Sequence, residues 1–328
     1  MLAYRCDEYG PPEQMARVEV PDPEPGKGEV VVDVAAAGVG FVDGLMVQGL
    51  YQVKPPLPYF PGSEFAGVVR AVGEGVQHLQ PGDRVLGTGS GTYADKVRAN
   101  AHAVFAIPHA LDLHTAAGFF INYATALYGL RDCGAIQPGE TVLVLGAAGG
   151  VGSAAIATAK ALGARVVAGA STEDKRAAAL GFGADATVDY TTADWRDALR
   201  ACTPDGLNLV YDPVGGDLSE PAFRSLSPGG RFLVVGFAAG AIPKLPLNLA
   251  LLKRSSLVGV DWGGEIRANP QLNVELMRTL FDLVQSGHLH PASVVTRDMA
   301  DLPAALNEQL AGRIVGKLVM VNPAAAGV

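Results

Sequence analysis

The stretch Thr141-Val142-Leu143-Val144-Leu145-Gly146-Ala147-Ala148-Gly149-Gly150-Val151-Gly152-Ser153 decides how this chain folds. A buried apolar run leads into a glycine-rich turn, and the residues from Val151 to Leu162 that follow read as a helix. Taken as A-x-G-x-x-G, with Ala147 where the first glycine usually stands, the turn is a variant dinucleotide fingerprint. Glycines let the backbone approach a pyrophosphate, and the following helix aims its N–H groups and positive end at that anion. The other reading, a turn that serves only close strand–helix packing, is disfavoured because the motif stands where the fingerprint requires it, after a strand and before a helix. The candidate pyrophosphate residues are Ala148, Gly149, Gly150, Val151 and Gly152.

Outward from the turn, strand and helix patterns alternate. Arg165 to Gly169, Ala186 to Val188, Leu207 to Tyr211 and Arg231 to Gly236 read as strands, with helices over Glu173 to Leu180, Ala193 to Ala201 and Asp217 to Leu226 between them. Such an alternation requires right-handed crossovers, and hence a parallel, doubly wound sheet covered on both faces. Ser256 to Asp261 adds a strand and Gln271 to Ser286 a long helix. Before residue 122 the pattern is different: short β-rich runs at Glu29 to Ala36, Glu64 to Val72 and Asp83 to Gly87, cut by Pro-Gly and Gly-x-Gly turns, predict a small, bent β-barrel. Ile314 to Val321 is again strand-like, and it is expected to rejoin the barrel because no helix follows to continue the wound sheet. The expected organisation is thus a barrel of residues 1–121 and 259–328 and a dinucleotide domain of residues 122–258.

The tip of the second wound strand selects the dinucleotide. An Asp or Glu there would hold the ribose 2′-hydroxyl of NAD, whereas this chain has Gly169-Ala170-Ser171-Thr172. Small neutral residues leave room for a 2′-phosphate beside Ser171, and Lys175, one turn into the next helix, can pair with it, so NADP (NADPH) is the expected cofactor. Lys175 and Arg176 as solvated helix residues, and Glu173 turning back to a ribose, are the competing readings.

Five strings then identify a resemblance: Pro61-Gly62-Ser63-Glu64-Phe65-Ala66-Gly67-Val68-Val69, Pro81-Gly82-Asp83-Arg84-Val85, Ala147-Ala148-Gly149-Gly150-Val151-Gly152, Asp212-Pro213-Val214-Gly215-Gly216 and Gly312-Arg313-Ile314-Val315-Gly316-Lys317. Over nearly its full length the chain resembles the zinc-free quinone oxidoreductase branch, which includes zeta-crystallin, of the medium-chain dehydrogenase/reductases. The resemblance implies a GroES-like β-barrel catalytic domain and a Rossmann domain. It also implies that Lys175, Tyr190 and Arg313 surround the 2′-phosphate, that Thr125 touches the nicotinamide end, and that Gly236 and Phe237 line it.

Zinc-dependent relatives carry a histidine before the Glu of a G-H-E string, a cysteine near the first helix and a four-cysteine lobe. Here Ser63 replaces the histidine, residues 40–43 hold no cysteine, and the three cysteines Cys6, Cys133 and Cys202 are far apart, so no metal is expected. Without a Lewis acid to stabilise an alkoxide, the expected reaction is hydride transfer to an electron-poor acceptor: a quinone, or alternatively an activated C=C bond. The candidate substrate-side residues are Tyr51, by resemblance, with Asn122, Tyr123 and Trp262. Gly40 and Leu45 stand where the family often has Asn and Tyr, which points to a roomier, more apolar pocket. Asp43 is expected to be a structural carboxylate at the start of the first helix.

Composition narrows the function classes. With 328 residues, 49% of them apolar, the chain can bury about 75% of its unfolded surface without staples. Lys+Arg 25 against Asp+Glu 33 give a net charge of −8, which disfavours nucleic acid as a partner and leaves an RNA-associated structural protein as the reading from another class. No apolar run approaches the roughly 20 residues that span a bilayer, and no secretory signal pattern opens the chain, so a cytoplasmic protein is expected. The expected partners are a small-molecule electron acceptor and a second copy of the chain, the strand at Ser256 to Val260 extending the wound sheet into a homodimer.

Overall fold

Valines at alternate positions make Glu29–Gly38 the central strand of the first unit of this computed structural model, which describes residues 1–323. Its strands are β1 (Leu2–Arg5), β2 (Ala16–Glu19), β3 (Glu29–Gly38), β4 (Glu64–Val72), β5 (Arg84–Thr88), β6 (Lys96–Asn100) and β7 (Val104–Ala106), with helices α1 (Phe41–Val47) and α2 (Leu113–Ala117). β1 and β2 form a separate antiparallel ribbon. β3 pairs antiparallel with both β4 and β6, and its register against β4 shifts at Val31/Val32 and at Val34/Ala36. Such irregularities bend and twist a strand, the local cause of the curvature expected of a barrel. Val32, Val34, Phe65, Val85 and Val97 fill its core. Asp112 caps α2, its carboxylate accepting the N–H groups of His114 and Thr115.

The second unit begins on α3 (Phe120–Leu127), which widens into a π-helical turn over Tyr128–Cys133. Then follow β8 (Thr141–Val144), α4 (Gly150–Ala161), β9 (Arg165–Ala170), α5 (Glu173–Gly181), β10 (Ala186–Asp189), α6 (Trp195–Cys202), β11 (Leu209–Asp212), α7 (Ser219–Ser225), β12 (Arg231–Val234), α8 (Asn248–Lys253), β13 (Ser256–Gly259), α9 (Trp262–Ala268) and α10 (Pro270–Gln285). All pairings in its sheet are parallel, in the order β10-β9-β8-β11-β12-β13. The strand order therefore reverses between β8 and β11, and ligands of open parallel sheets bind at the carboxyl ends of the strands flanking such a reversal.

The chain closes with β14 (Val294–Asp298), α11 (Leu302–Leu310) and β15 (Lys317–Val321). β15 pairs antiparallel with β3 and parallel with β14, so the tail rejoins the first unit as expected. The division falls elsewhere than the sequence suggests: the units are 1–121 with 293–328, and 122–292. Residues 259–292, expected with the barrel, belong to the wound sheet. Val260 N–H donates to Val234 O (2.9 Å), Arg131 Nη1 to Thr279 Oγ1 (3.4 Å) and Ala292 N–H to the Tyr123 hydroxyl (2.8 Å), while Leu276, Met277 and Leu280 of α10 are fully buried. A long amphipathic helix buries its stripe wherever a partner face lies, a choice that its own sequence does not record.

Candidate functional site

The turn after β8 is built by contacts that differ from glycine to glycine. Gly146 adopts φ +58°, and a Cβ there would lie 2.8 Å from Val214 Cγ2. At Gly152 a Cβ would lie 2.3 Å from Gly146 O and 2.7 Å from Ala147 Cα, so only glycine lets α4 start this close to the strand. Gly149 is a different case: it has ordinary extended backbone (φ −84°, ψ 173°), and a Cβ would meet nothing nearer than Gly146 O at 3.6 Å. Packing does not require a glycine at 149, and the missing side chain leaves open space over the start of α4. Gly149 holds the N-cap position with no side-chain cap, and the N–H groups of Gly150, Val151 and Gly152 in the first turn have no intrahelical acceptor. Ala147 and Ala148 are buried, Ala147 donating to Gly169 O at 3.1 Å. The arrangement is a cradle of outward N–H groups at a positive helix end.

From this turn a continuous row runs along the carboxyl ends of the strands. On one side Gly169 lies within 3.2 Å, by its virtual Cβ, of the Tyr190 ring. The Tyr190 hydroxyl lies close to Ser171, and burial pushes its ionisation up. The sequence reading named these two residues separately; the fold brings them together. Lys175 is half-buried on the first turn of α5, where Thr172 caps its N–H. Arg176 pairs with Asp189 (2.7 Å), whose carboxylate also takes the N–H and hydroxyl of Thr191. Those bonds hold Asp189 below the usual carboxylate range, the Thr191 hydroxyl foremost. Asp189, the acidic residue next to Tyr190, is thus committed to the protein, and Glu173 at the opening of α5 is exposed.

On the other side stands a residue whose role sequence reasoning missed. Asp212 is buried, and its carboxylate accepts the N–H groups of Val214 (2.8 Å) and Gly215 (2.9 Å) and the Ser219 hydroxyl (2.6 Å). It folds the loop after β11 back on itself, an Asx-type turn whose signal was the run Asp-Pro-x-Gly-Gly. That loop carries Val214 to the glycine turn. Pro213 O accepts from Ala238 N–H and Val214 O from Ala239 N–H, which seats Gly236 and Phe237 beside the loop. Phe237 packs on Gly215 and stays 39% exposed.

The remaining candidates lie on other elements. Thr125, half-buried, and Asn122, buried, lie three residues apart on α3, hence on one face. Tyr123 is buried, its hydroxyl accepts Ala292 N–H, and burial pushes its ionisation up, so it anchors the end of the second unit. Trp262 opens α9 and is buried. In the first unit, Tyr51 is half-buried in the loop after α1, and Arg313 is exposed just beyond α11.

The first unit also shows what stands where zinc-dependent relatives carry their histidine. Ser63 Oγ donates to Asp43 Oδ1 (2.6 Å), and Asp43 Oδ2 accepts the Tyr93 hydroxyl and the Gly40 N–H, both at 2.8 Å. Asp43 is thus the structural carboxylate expected at the start of α1. Glu64 forms a buried ion pair with Lys317 (2.6 Å) and accepts Ile121 N–H, while Lys317 Nζ donates to Val39 O. Among the described residues, no three His, Cys, Asp and Glu side chains converge as metal ligands would, and no helix is long and apolar enough to cross a membrane.

Comparison with known proteins agrees with this architecture. The family described as "Alcohol dehydrogenase GroES-like domain" matches residues 26–109, and that described as "Zinc-binding dehydrogenase" matches residues 150–279. The quinone oxidoreductase-like protein 2 homolog of Nematostella vectensis is 37% identical over 88% of this chain and 79% of its own length. The crystal structure of Escherichia coli quinone oxidoreductase complexed with NADPH superposes with a TM-score of 0.89 at 30% identity, covering 98% of this chain and all of that one. The CurK enoyl reductase structure superposes with a TM-score of 0.88 at 27% identity, covering 98% of this chain and 99% of that one. An oxidoreductase with a GroES-like and a Rossmann domain, the chain belongs to the zinc-free quinone oxidoreductase branch of the medium-chain dehydrogenase/reductase superfamily.

Proposed function

We propose that this protein is an NADPH-dependent oxidoreductase that delivers hydride to a quinone. One observation carries the reading: the glycine turn opens onto a strand tip where Ser171 and Tyr190 stand together, with Lys175 on the adjoining helical turn and the nearby Asp189 engaged by Arg176 and Thr191. A phosphorylated ribose suits such a tip, and Asp189, the acidic residue next to Tyr190, is engaged by Arg176 and Thr191 rather than open to a ribose hydroxyl. When bound, the dihydronicotinamide supplies the hydride. The chain's own residues do the rest. The N–H groups of Gly150, Val151 and Gly152 bind the pyrophosphate. Lys175, Ser171 and Tyr190 hold the 2′-phosphate, with Arg313 the further cation assigned there by resemblance. Gly236, Phe237 and Thr125 flank the nicotinamide end. Asn122 and Tyr51 are the candidate groups that orient the acceptor, with Tyr123 a third candidate whose hydroxyl accepts Ala292 N–H.

Lys175→Ala is expected to weaken NADPH binding by about 10- to 100-fold while changing NADH binding little, since a charge-assisted bond to phosphate contributes about 1.5–3 kcal/mol. Titration of both nucleotides checks it, and equal losses for the two would remove Lys175 from the phosphate site. NADPH consumption with a benzoquinone or naphthoquinone, against enones and crotonyl-type thioesters, tests the acceptor. Turnover with neither class sinks the proposal. Preference for the thioester or enone favours the second reading, a reductase of activated C=C bonds, which the likeness to an enoyl reductase supports.

The expected homodimer has its own support. β13 is an edge strand, Leu257 on it is half-exposed, and Leu247, at the N-cap of α8, and Leu251 on that helix are 81% and 78% exposed. An apolar edge of this kind is suited to pair with a second copy. Light scattering at micromolar concentration should give twice the chain mass, and Leu257→Glu should shift it toward one; a wild-type monomer rejects the idea.

A further inference from the structure

A second polar cavity lies in the wound-sheet unit, away from the glycine turn. It has a volume of about 350 Å³ and is formed by the ends of α6, α7 and α8 and the loops leading into β11 and β12. These loops precede their strands, so the cavity sits at the amino edge of the parallel sheet, whereas the dinucleotide row occupies the carboxyl edge. Four cations line it, Arg196, Arg200, Arg224 and Lys253, together with the hydroxyls of Ser225 and Ser227; no carboxylate is among the lining residues described. In a chain of net charge −8, four converging cations are a local reversal of sign.

The cations divide into two kinds. Arg200 and Arg224 are balanced by carboxylates from their own helices, Asp197 at 2.8 Å and Glu220 at 2.6 Å. Arg196 and Lys253 have neutral acceptors: Arg196 Nε donates to Ser225 Oγ (3.2 Å) and Lys253 Nζ to Leu226 O (2.7 Å). Arg200, Arg224 and Lys253 stand in last helical turns, where cations meet the negative end of the helix. Arg196 does not share that explanation, since it lies in the first turn of α6, the end that disfavours positive charge. Burial, then repulsion from Arg196 and Arg224, holds Lys253 below the usual lysine range. The cluster therefore carries two positive charges with no carboxylate of their own, in a recess of the size that takes small ligands.

We infer that this cavity binds a small phosphate-bearing anion, held by Arg196 and Lys253 with the Ser227 hydroxyl as a further donor. A phosphate dianion matches the two uncompensated charges, and the guanidinium of Arg196 keeps donors beyond the one given to Ser225. Inorganic phosphate and a phosphate monoester share this chemistry.

The test is calorimetric titration of the intact protein with inorganic phosphate, pyrophosphate and glycerol phosphate, with sodium chloride balancing ionic strength. The wild type should bind at least one of them, and Arg196→Gln and Lys253→Gln should each weaken binding about tenfold or more with unchanged melting temperature and NADPH turnover. Lys175→Gln should leave anion affinity unchanged. Tighter binding of glycerol phosphate than of phosphate identifies an ester as ligand, and the reverse identifies the inorganic ion. Absence of binding beyond that of chloride overturns the inference. So does loss of binding in Lys175→Gln with retention in both cavity variants, which would place the anion at the dinucleotide turn.

Discussion

Lys317→Met is expected to destabilise the first unit by about 3–5 kcal/mol, because it leaves the Glu64 carboxylate buried without its counter-charge. Glu64 and Lys317 side chains are only 2% and 9% exposed, so water cannot take the place of the missing partner. The lysine bridges three elements: it meets Glu64 at the start of β4, donates to Val39 O beyond β3, and stands itself at the head of β15. Its loss thus loosens the attachment of the chain's tail to the barrel. The unfolding midpoint should fall by roughly 6–20 °C. Glu64→Met combined with Lys317→Met should recover much of the loss, since replacing both charges removes the desolvation penalty and leaves chiefly the Ile121 N–H without an acceptor. Additive losses in the double variant would show that the two side chains act independently, contrary to their 2.6 Å separation.

Gly152→Ala and Gly149→Ala are expected to fail in opposite ways. At 152 the added methyl meets backbone atoms at 2.3 and 2.7 Å that no side-chain rotation can clear, so α4 must move off the strand at a cost of about 1–3 kcal/mol or more. At 149 the methyl enters open space on a backbone that alanine adopts freely, and stability should stay within about 1 kcal/mol of wild type. The same methyl stands over the N–H groups that face the pyrophosphate, so NADPH affinity should drop by about tenfold or more. Thermal melting together with nucleotide titration separates the two. A Gly149→Ala variant that is destabilised yet binds NADPH normally would mean that the glycine serves packing alone, and one normal in both would remove Gly149 from the cradle.

These two residues also mark what could be read from the sequence. The strand, turn and helix from Thr141 to Ala161 follow from local pattern, because buried runs and glycine turns carry their conformation in neighbouring residues. The wound topology follows from alternation, and the return of β15 to the barrel from its isolation. The place of α10 did not follow: its apolar stripe is equally at home on either unit, and long-range bonds such as Arg131 to Thr279 have no local signature. The helices α2, α3, α8, α9 and α11 are also missing from the sequence reading; they are short, and their composition does not separate them from loops. At the candidate site, Ser171 and Lys175 are proposed from sequence because the absence of an acidic residue at a strand tip is itself a signal. Asp212 was quoted as part of a motif without its role, since only the fold shows three donors converging on one buried carboxylate. Tyr123, proposed on its neighbourhood with Asn122, accepts the Ala292 N–H at its hydroxyl, a long-range bond with no local signature.

The account rests on the turn at residues 146–152 gripping a phosphorylated nicotinamide dinucleotide, and calorimetric titration of the purified protein with NADPH and NADH tests that most directly. The expected result is saturable heat with NADPH, binding about tenfold or more tighter than NADH. Silence with both nucleotides, or equal affinity for the two, would contradict it.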